Sequence, residues 1–213
     1  MERVSEALLV LATHNQGKVR ELRQLLDGAV PGLDVERHVV DASAVGAPDV
    51  RETGVTFQEN ALLKAREVAE ATGLLAVADD SGLAVDVMGG APGFLSARWA
   101  GRHGDDLANL ELLLAQMGDV EAPERRGAAF VCAAAVAVPG GEELVRMGEL
   151  RGTLLTAPRG EGGFGYDPIL LPAGETRSCA ELSPGEKNAI SHRGQAFRAL
   201  LPELVRLLGA RLA

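Results

Sequence analysis

Aromatic residues and cysteine are both scarce in this chain. Phe, Trp and Tyr together make up 3% of its 213 residues. The core is therefore expected to be aliphatic, and each of the few aromatic residues becomes a candidate for a special role. Cys132 and Cys179 stand far apart and lack the spacing of a metal-binding or redox pair.

Excess positive charge and long apolar runs are absent as well. The net charge of −9 at pH 7 argues against binding to extended nucleic acid, but it leaves room for a small anionic ligand. No apolar run reaches membrane-spanning length, and the start at Met1 lacks a signal-peptide pattern. We therefore expect a soluble, cytoplasmic protein. Internal repeats and clean linkers are missing too, which favours one domain over residues 1–213.

The order of predicted elements is typical of an α/β protein. Residues 7–13 are predicted to form a buried strand, followed by a turn and a helix that begins at Lys18. Thr56-Phe57-Gln58-Glu59 is a capping-box sequence and predicts a second helix, which ends at Gly73. The other predictions are strands over 33–40, 128–138 and 143–155, and helices over 105–117 and from a second capping box at Ser183 onward.

Residues 74–82 are the most informative segment. A short apolar run ends in Asp79 and Asp80, and Ser81-Gly82 is predicted to turn the chain into the return arm of a hairpin over 82–87. Two carboxylates at the end of a buried strand are costly unless a divalent cation or basic side chains neutralise them. Asp, Ser and Gly also favour ordinary turns. The residues by themselves leave both interpretations open.

A candidate phosphate site follows the first strand, at Thr13-His14-Asn15-Gln16-Gly17-Lys18. A strand that turns into a helix presents free backbone amides and the positive end of the helix dipole, which attract phosphate. Lys18 in the first turn is unfavourable beside that dipole unless an anion lies between them. The alternative is an ordinary surface lysine. The segment is not a Walker A loop, because the earlier glycine and the following Ser or Thr are absent.

Five carboxylates are candidates for metal binding: Glu52, Glu59, Asp79, Asp80 and Asp86. Mg²⁺ takes a few oxygen ligands together with water and substrate phosphates, so Asp80 with one Glu from residues 52–59 is enough. Structural alternatives exist for three of them. Glu59 has a role in the helix cap, Asp86 alternates out of the predicted hairpin, and Glu52 is explained equally well as a solvated side chain.

Two segments near the end of the chain are candidates for binding a flat ligand. Residues 160–168 combine several glycines with Phe164 and Tyr166, which suits the close approach of a backbone to an aromatic ligand. Lys187, His192 and Arg193 cluster where a short helix meets the closing helix, and such a group can hold an anion or a base edge. An ordinary glycine-rich loop and a solvated basic surface are the alternatives.

Six segments in this order resemble the inosine triphosphate pyrophosphatase family, whose members hydrolyse non-standard purine nucleoside triphosphates such as ITP, dITP and XTP. They are residues 11–21 (LATHNQGKVRE), 52–61 (ETGVTFQENA), 78–86 (ADDSGLAVD), 90–98 (GAPGFLSAR), 162–168 (GGFGYDP) and 191–194 (SHRG). The resemblance covers nearly the whole chain. One departure is His14, since relatives often carry glycine there.

The resemblance implies a two-lobed α/β fold, with an elongated mixed central sheet flanked by helices and a substrate cleft between the lobes. It also implies a homodimer and dependence on Mg²⁺, with Glu52 and Asp80 as metal ligands and Asp80 as the catalytic acidic residue. The residues that it implies for binding of the triphosphate, sugar and base are Thr13, His14, Asn15, Gln16, Gly17, Lys18, Lys64, Ser81, Phe164, Gly165, Tyr166, Asp167, Lys187, His192 and Arg193.

The reaction implied by the resemblance gives a nucleoside monophosphate and pyrophosphate. Lysines and Mg²⁺ would draw charge from the triphosphate while a carboxylate orients or deprotonates water. A carboxylate bound to Mg²⁺ is a weakened base, so Asp79 or a metal-bound hydroxide is the alternative base to Asp80. Arg193 offers only hydrogen-bond donors, which suit a 6-oxo purine and disfavour ATP but not GTP.

Two other functions are alternatives to this one. A nucleotide-binding module without turnover has no need of the costly carboxylate pair Asp79-Asp80. A metal phosphatase for other phosphate esters is disfavoured because the segments at 162–168 and 191–194 suit recognition of a base.

Overall fold

A computed structural model describes residues 6–13 and 16–212, without the side chain of Gln16. The strands in this part of the chain are β1 (Leu9–Leu11), β2 (Val39–Asp41), β3 (Leu75–Val85), β4 (Gly127–Ala137), β5 (Glu143–Leu154) and β6 (Leu170–Pro172). The helices are α1 (Gln16–Leu26), α2 (Val35–His38), α3 (Phe57–Thr72), α4 (Asp106–Gln116), α5 (Pro184–Ile190) and α6 (His192–Leu212). Short 3-10 turns occur at Ser43–Val45, Asp86–Met88, Gly93–Arg98, Pro123–Arg125 and Asp167–Ile169.

The strands form a six-stranded mixed sheet in the order β2-β1-β3-β4-β5-β6. β1 runs parallel to both β2 and β3, with Val10 opposite Val40 and Ala76. β6 runs antiparallel to β5. Parallel neighbours require crossover connections, and helices supply them between β1, β2 and β3. The predicted α/β class and mixed sheet are confirmed.

Helix α3 begins and ends where its sequence predicts. The Thr56 side chain accepts the backbone N–H of Glu59, and Gly73 ends the helix in the left-handed conformation, at φ 71°. The reciprocal half of the predicted capping box is different, because the Glu59 carboxylate accepts the N–H of Val55. The second predicted capping box, at Ser183 and Glu186, forms completely.

Strand β3 corrects the prediction at the central motif. It is one continuous strand of 11 residues that runs through Asp79, Asp80, Ser81 and Gly82. The predicted hairpin and its turn at Ser81-Gly82 are therefore wrong. A Cβ at Gly82 would meet the Ser96 hydroxyl and the Gly93 carbonyl. The glycine is thus explained by close packing and not by a turn, two uses that look alike in a sequence.

The predicted strand over residues 33–40 is correct only at its end. Asp34 caps the short helix α2 by accepting the N–H groups of Glu36 and Arg37, and β2 begins only at Val39. Asp at a helix N-cap satisfies amides that a strand would pair with a neighbour. At the other end of the chain, α6 is continuous through Pro202.

The described residues form two compact units. The first contains the residues up to Asp80, Ala133–Met147 and the residues from Ala196; the second contains Ser81–Cys132 and Gly148–Gln195. Small residues dominate the core of the first unit, which includes Val10, Val40, Ala61, Ala65, Ala69, Ala76, Ala133 and Ala135. Larger side chains fill the second, including Leu83, Leu110, Leu113, Met117, Phe130, Ile169 and Leu170.

Within residues 6–13 and 16–212, no helix is both long enough and apolar enough to cross a membrane.

Candidate active site

Lys18 and Asp79 form an ion pair in the first unit. The Lys18 Nζ donates to both carboxylate oxygens of Asp79, at 2.8 and 2.9 Å. The Asp79 side chain is only 2% exposed, whereas that of Lys18 is 21% exposed. The buried carboxylate of β3 thus has a cation at the first helix of the chain. This places Lys18 beside the central motif, as expected if it is not an ordinary surface lysine.

Lys64 contacts both predicted metal ligands. Its Nζ lies 2.5 Å from Oε1 of Glu52 and 3.5 Å from Oδ1 of Asp80. Burial alone would lower the pKa of Lys64, but the attraction of Asp80 and Glu52 outweighs it and raises that pKa. Burial raises the pKa of Asp80, with Glu52 and Asp79 adding to the rise and Lys64 opposing it. The first unit therefore contains a carboxylate cluster, Glu52, Asp79 and Asp80, whose members form ion pairs with Lys18 and Lys64.

Asn60 also binds Asp80, a contact that no motif in the sequence predicts. This fully buried side chain donates from Nδ2 to Oδ2 of Asp80 at 3.3 Å, while its Oδ1 accepts the N–H of Gly54 at 2.8 Å. Asn60 and Lys64 are four residues apart on α3, so they lie on the same face of the helix. A Cβ at Gly54 would clash with Asn60. Asn60 therefore ties the segment after Glu52 to the carboxylate of Asp80.

The carboxylates of this cluster suit a magnesium ion that is shared with a phosphate ligand. Across the described ranges, 6–13 and 16–212, no three or more His, Cys, Asp or Glu side chains converge as a metal cage. Mg²⁺ does not need such a cage, because it keeps several waters and uses one or two carboxylates plus substrate phosphates. Glu52 and Asp80 already approach one cationic atom, the Nζ of Lys64. The donor set therefore fits Mg²⁺ better than a zinc-type site.

A cavity in the second unit collects eight residues that were predicted to bind substrate. They are Ser81, Phe164, Gly165, Tyr166, Asp167, Lys187, His192 and Arg193. Five more residues line the same cavity, namely Gly82, Ser96, Ala97, Asp106 and Phe130. These eight come from three separate segments of the chain, and the fold brings them to one concave surface.

Phe164 lines this cavity next to an ion pair between Lys187 and the buried Asp167. The Lys187 Nζ donates to Oδ2 of Asp167 at 2.5 Å and lies 4.7 Å from the centroid of the Phe164 ring. The same Asp167 oxygen accepts the N–H of Phe164 at 2.8 Å. Asp167 is only 2% exposed, whereas Phe164 is 64% exposed. An aromatic ring with a cation near one face is thus open to a flat ligand.

Tyr166 and His192 are held by contacts within the second unit. The buried Tyr166 hydroxyl donates to the carbonyl of Ser96 at 2.9 Å, and burial followed by the charge of Asp106 raises the pKa of Tyr166. The His192 ring stacks on Phe130 with 5.1 Å between the ring centroids. The phenol of Tyr166 is therefore engaged in the wall of the cavity.

The predicted phosphate segment is described only in part. His14 and Asn15 lie outside the described residues, as does the side chain of Gln16. Thr13 follows β1, and its carbonyl accepts the N–H of Ala42 at 3.3 Å. Gly17 lies in the first turn of α1. Lys18, the last residue of the segment, contacts the carboxylate of Asp79.

Two of the five candidate carboxylates have structural partners instead. Asp86 follows β3 and forms an ion pair with Arg151 at 2.5 Å, with its side chain 49% exposed. Glu59 accepts the N–H of Val55 at 2.7 Å beside the helix cap. Glu59 keeps a role beside the helix cap, as its structural alternative expects, whereas Asp86 lies in the 3-10 turn after β3 and not in a hairpin arm. Glu52, Asp79 and Asp80 are the carboxylates that contact the lysines of the first unit.

The chain matches the model of a known protein family over residues 9–203, and that family is described as the Ham1 family. The match covers most of the sequence, including both units. The chain belongs to the Ham1 family.

Ham1-family relatives and structures resemble the chain over nearly all of its length. A Streptomyces coelicolor protein named dITP/XTP pyrophosphatase is 64% identical over 206 residues, which cover 94% of this chain and 98% of that protein. A Ham1 protein structure from Coxiella burnetii has a TM-score of 0.84 at 39% identity, covering 94% of this chain and 99% of its own. A Mycobacterium abscessus nucleoside-triphosphatase, also titled dITP/XTP pyrophosphatase, has a TM-score of 0.76 at 51% identity, covering 91% and 98%.

The scarcity of lysine in this Ham1 chain is a signal that could have identified the three lysines as candidate site residues without any motif. The chain contains only three lysines, Lys18, Lys64 and Lys187. All three form ion pairs with carboxylates of the candidate site. The remaining basic residues are arginines, which pair bidentately with carboxylates, whereas lysine acts as a compact point charge. The partners Asn60, Ser96 and Asp106 carried no comparable signal.

Proposed function

We propose that this chain hydrolyses non-standard purine nucleoside triphosphates, such as ITP, dITP and XTP, to the nucleoside monophosphate and pyrophosphate in a Mg²⁺-dependent reaction. The observation that carries the proposal is the cavity of the second unit, which is lined by Ser81, residues 164–167, Lys187, His192 and Arg193. The names of the relatives support the same substrate class.

The base binds in the cavity of the second unit. Phe164 supplies an exposed aromatic surface, backed by the cation of Lys187. Arg193 lines the same cavity and can only donate hydrogen bonds, so it pairs with the 6-oxo group of hypoxanthine or xanthine. A 6-amino group would leave a donor without an acceptor, and a site of this kind rejects such a mismatch strongly. Selection against ATP follows from this contact.

Lysines and carboxylates of the first unit act on the triphosphate. Lys18 and Lys64 bring positive charge to phosphate oxygens. Their ion pairs with carboxylates fix the positions of the two ammonium groups before the substrate binds. Glu52 and Asp80 would hold Mg²⁺, which supplies charge neutralisation and a more acidic water when bound. Asp80 orients the attacking water. Asp79 is buried against Lys18, so its role in the proposal is to position that lysine and not to act as the base.

Asn60 keeps Asp80 in place for this role. Its Nδ2 donates to one oxygen of Asp80, while Lys64 contacts the other. A carboxylate with both oxygens engaged has a fixed orientation, which is what alignment of a water for in-line attack requires. Asp80 and Ser81 are consecutive residues of β3, so a residue of the carboxylate cluster and a residue of the base cavity adjoin along the chain.

We further propose a cytoplasmic homodimer that removes such nucleotides from the cellular pool. Membership of the Ham1 family and the resemblance stated above support this. Sedimentation equilibrium measures the assembly directly: a mass near twice 22.2 kDa is expected, and a monomer would contradict the dimer.

Product analysis tests the proposed reaction. The protein is incubated with ITP, XTP, GTP or ATP, with Mg²⁺ and with EDTA, and the phosphorus products are separated and identified. Monophosphate and pyrophosphate in equal amounts are expected from ITP and XTP, with ATP a poor substrate and with no turnover in EDTA until Mg²⁺ is restored. Release of orthophosphate and nucleoside diphosphate would overturn the proposal, as would full activity in EDTA.

A further inference from the structure

Asp106 borders the base cavity, although neither a motif nor the proposed reaction assigns it a role. It is the first residue of α4, is exposed and lines the cavity. Its Oδ2 accepts the backbone N–H of Gly165 at 2.9 Å, across 59 residues of sequence. Gly165 has φ 60°, a left-handed conformation that other residues rarely adopt. Asp106 thus holds an unusual backbone turn at the cavity.

The turn from Phe164 to Tyr166 is fastened at each of its three residues. The N–H of Phe164 donates to Asp167, the N–H of Gly165 donates to Asp106, and the hydroxyl of Tyr166 donates to the carbonyl of Ser96. Hydrogen bonds to a charged acceptor are about twice as strong as neutral ones. Asp167 belongs to the loop itself and is bonded by Lys187 of α5, whereas Asp106 and Ser96 accept hydrogen bonds from the turn directly.

The Phe164 side chain depends on this turn for its orientation. The residue is 64% exposed, so few packing contacts hold its ring. The Lys187 ammonium lies 4.7 Å from the ring centroid. Gly165, the next residue, is the most permissive kind of residue for backbone rotation. The N–H that Asp106 holds is the amide that directly follows Phe164. The direction of the ring therefore depends on the conformation of this backbone turn as well as on the contact with Lys187.

We propose that Asp106 is a positioning residue that holds Phe164 in the orientation that stacks on the purine base. This rests on the proposed function, in which Phe164 binds the base. Asp106 acts through Gly165 and does not touch the substrate. Pre-organising a binding surface lowers the entropy cost of association, so the effect falls on affinity for the nucleotide and not on the chemical step.

The experiment is a double-mutant cycle between Asp106 and Phe164. The variants are Asp106→Ala, Phe164→Ala, the double variant, and Asp106→Asn, whose amide oxygen still accepts the N–H of Gly165. Glu111→Ala, at an exposed site of the same helix, is the matched control for loss of a negative charge. Three quantities are measured: KM and kcat for ITP, calorimetric affinity for IMP, which requires no turnover, and the thermal unfolding midpoint.

Asp106→Ala is expected to raise KM and the Kd for IMP by about threefold to tenfold, with kcat unchanged within about twofold. Asp106→Asn and Glu111→Ala should bind IMP like the unaltered protein. In the Phe164→Ala background, Asp106→Ala should change the Kd by less than about twofold, because the ring that it orients is gone.

An equal effect of Asp106→Ala in both backgrounds would overturn the proposal and indicate a direct contact with the nucleotide. An unchanged Kd in Asp106→Ala, or a fall in kcat alone, would overturn it too. The proposed function fails in a distinguishable way, since Phe164→Ala would then bind IMP as tightly as the unaltered protein. If Asp106→Ala is too unstable to measure, Asp106→Leu replaces it in the cycle, because leucine has a similar volume and cannot accept the N–H of Gly165. A Kd for IMP in Asp106→Leu equal to that of Asp106→Asn would overturn the proposal.

Discussion

Lys18 holds both carboxylate oxygens of Asp79, at 2.8 and 2.9 Å, in a pair whose acidic member is almost completely buried. This contact answers a question that the sequence leaves open, because it gives the first of the two adjacent acidic residues a partner of its own. Asp80 has a separate set of partners, Lys64 and Asn60. Neighbouring carboxylates with different partners can have different roles.

Loss of the Lys18 charge is expected to destabilise the fold. Lys18→Met removes the cation that faces a buried carboxylate, and the free energy of unfolding should fall by about 1–3 kcal/mol in urea titration. The partial exposure of Lys18 keeps the effect below that of a fully buried pair. Asp79→Asn in the same background should recover part of the loss. Arg20→Met, on the exposed surface of α1, is the control and should change little; equal loss in both variants would contradict the account.

Removal of Glu52 is expected to weaken the binding of Mg²⁺ specifically. Glu52→Gln keeps the size of the side chain but takes away one of two carboxylates near Lys64, so the Mg²⁺ concentration for half-maximal activity should rise about tenfold or more. Glu59→Gln is the matched control, since Glu59 only accepts a backbone N–H beside the helix cap. The measurement is a Mg²⁺ titration of ITP hydrolysis. Identical titration curves for Glu52→Gln and Glu59→Gln would argue against Glu52 as a ligand.

Much of the local structure could be predicted from the sequence because it depends on neighbouring residues. The Thr56 cap and the left-handed Gly73 define α3 from both ends. The segments around Phe164, Lys187 and Arg193 were each visible as motifs, and the cavity that joins them is consistent with those predictions.

The rest depended on contacts between distant residues. Gly82 looked like part of a turn, because its close contact with Ser96 is invisible until β3 and the 3-10 turn at Gly93–Arg98 are packed together. Asn60 and Asp106 bind partners 20 and 59 residues away, and each sits in an ordinary helical sequence. Hydrogen bonds over such separations follow from the tertiary fold and leave no periodic pattern in the chain.

Both cysteines are expected to be unreactive in the native protein. Cys132 and Cys179 are buried, and burial, followed by the nearby charge of Asp167, raises the pKa of Cys179 to about 12. Only the thiolate reacts with Ellman's reagent, and at pH 8 it is scarce for a thiol with so high a pKa. Two thiols should therefore be titrated in guanidinium chloride and essentially none without it. Rapid reaction of a thiol in the folded protein would show that the second core is more open than the structure indicates.

Asp80→Asn tests the central claim most directly, because the substitution removes the carboxylate but keeps its shape. The rate constant kcat for ITP is measured at saturating Mg²⁺. Asp86→Asn is the control, because Asp86 is a half-exposed carboxylate that forms an ion pair with Arg151. Asp80→Asn should lower kcat by at least about a hundredfold, the usual contribution of a group that orients or deprotonates a reacting water, while Asp86→Asn stays near the unaltered rate. A folded Asp80→Asn protein with full activity would contradict the account.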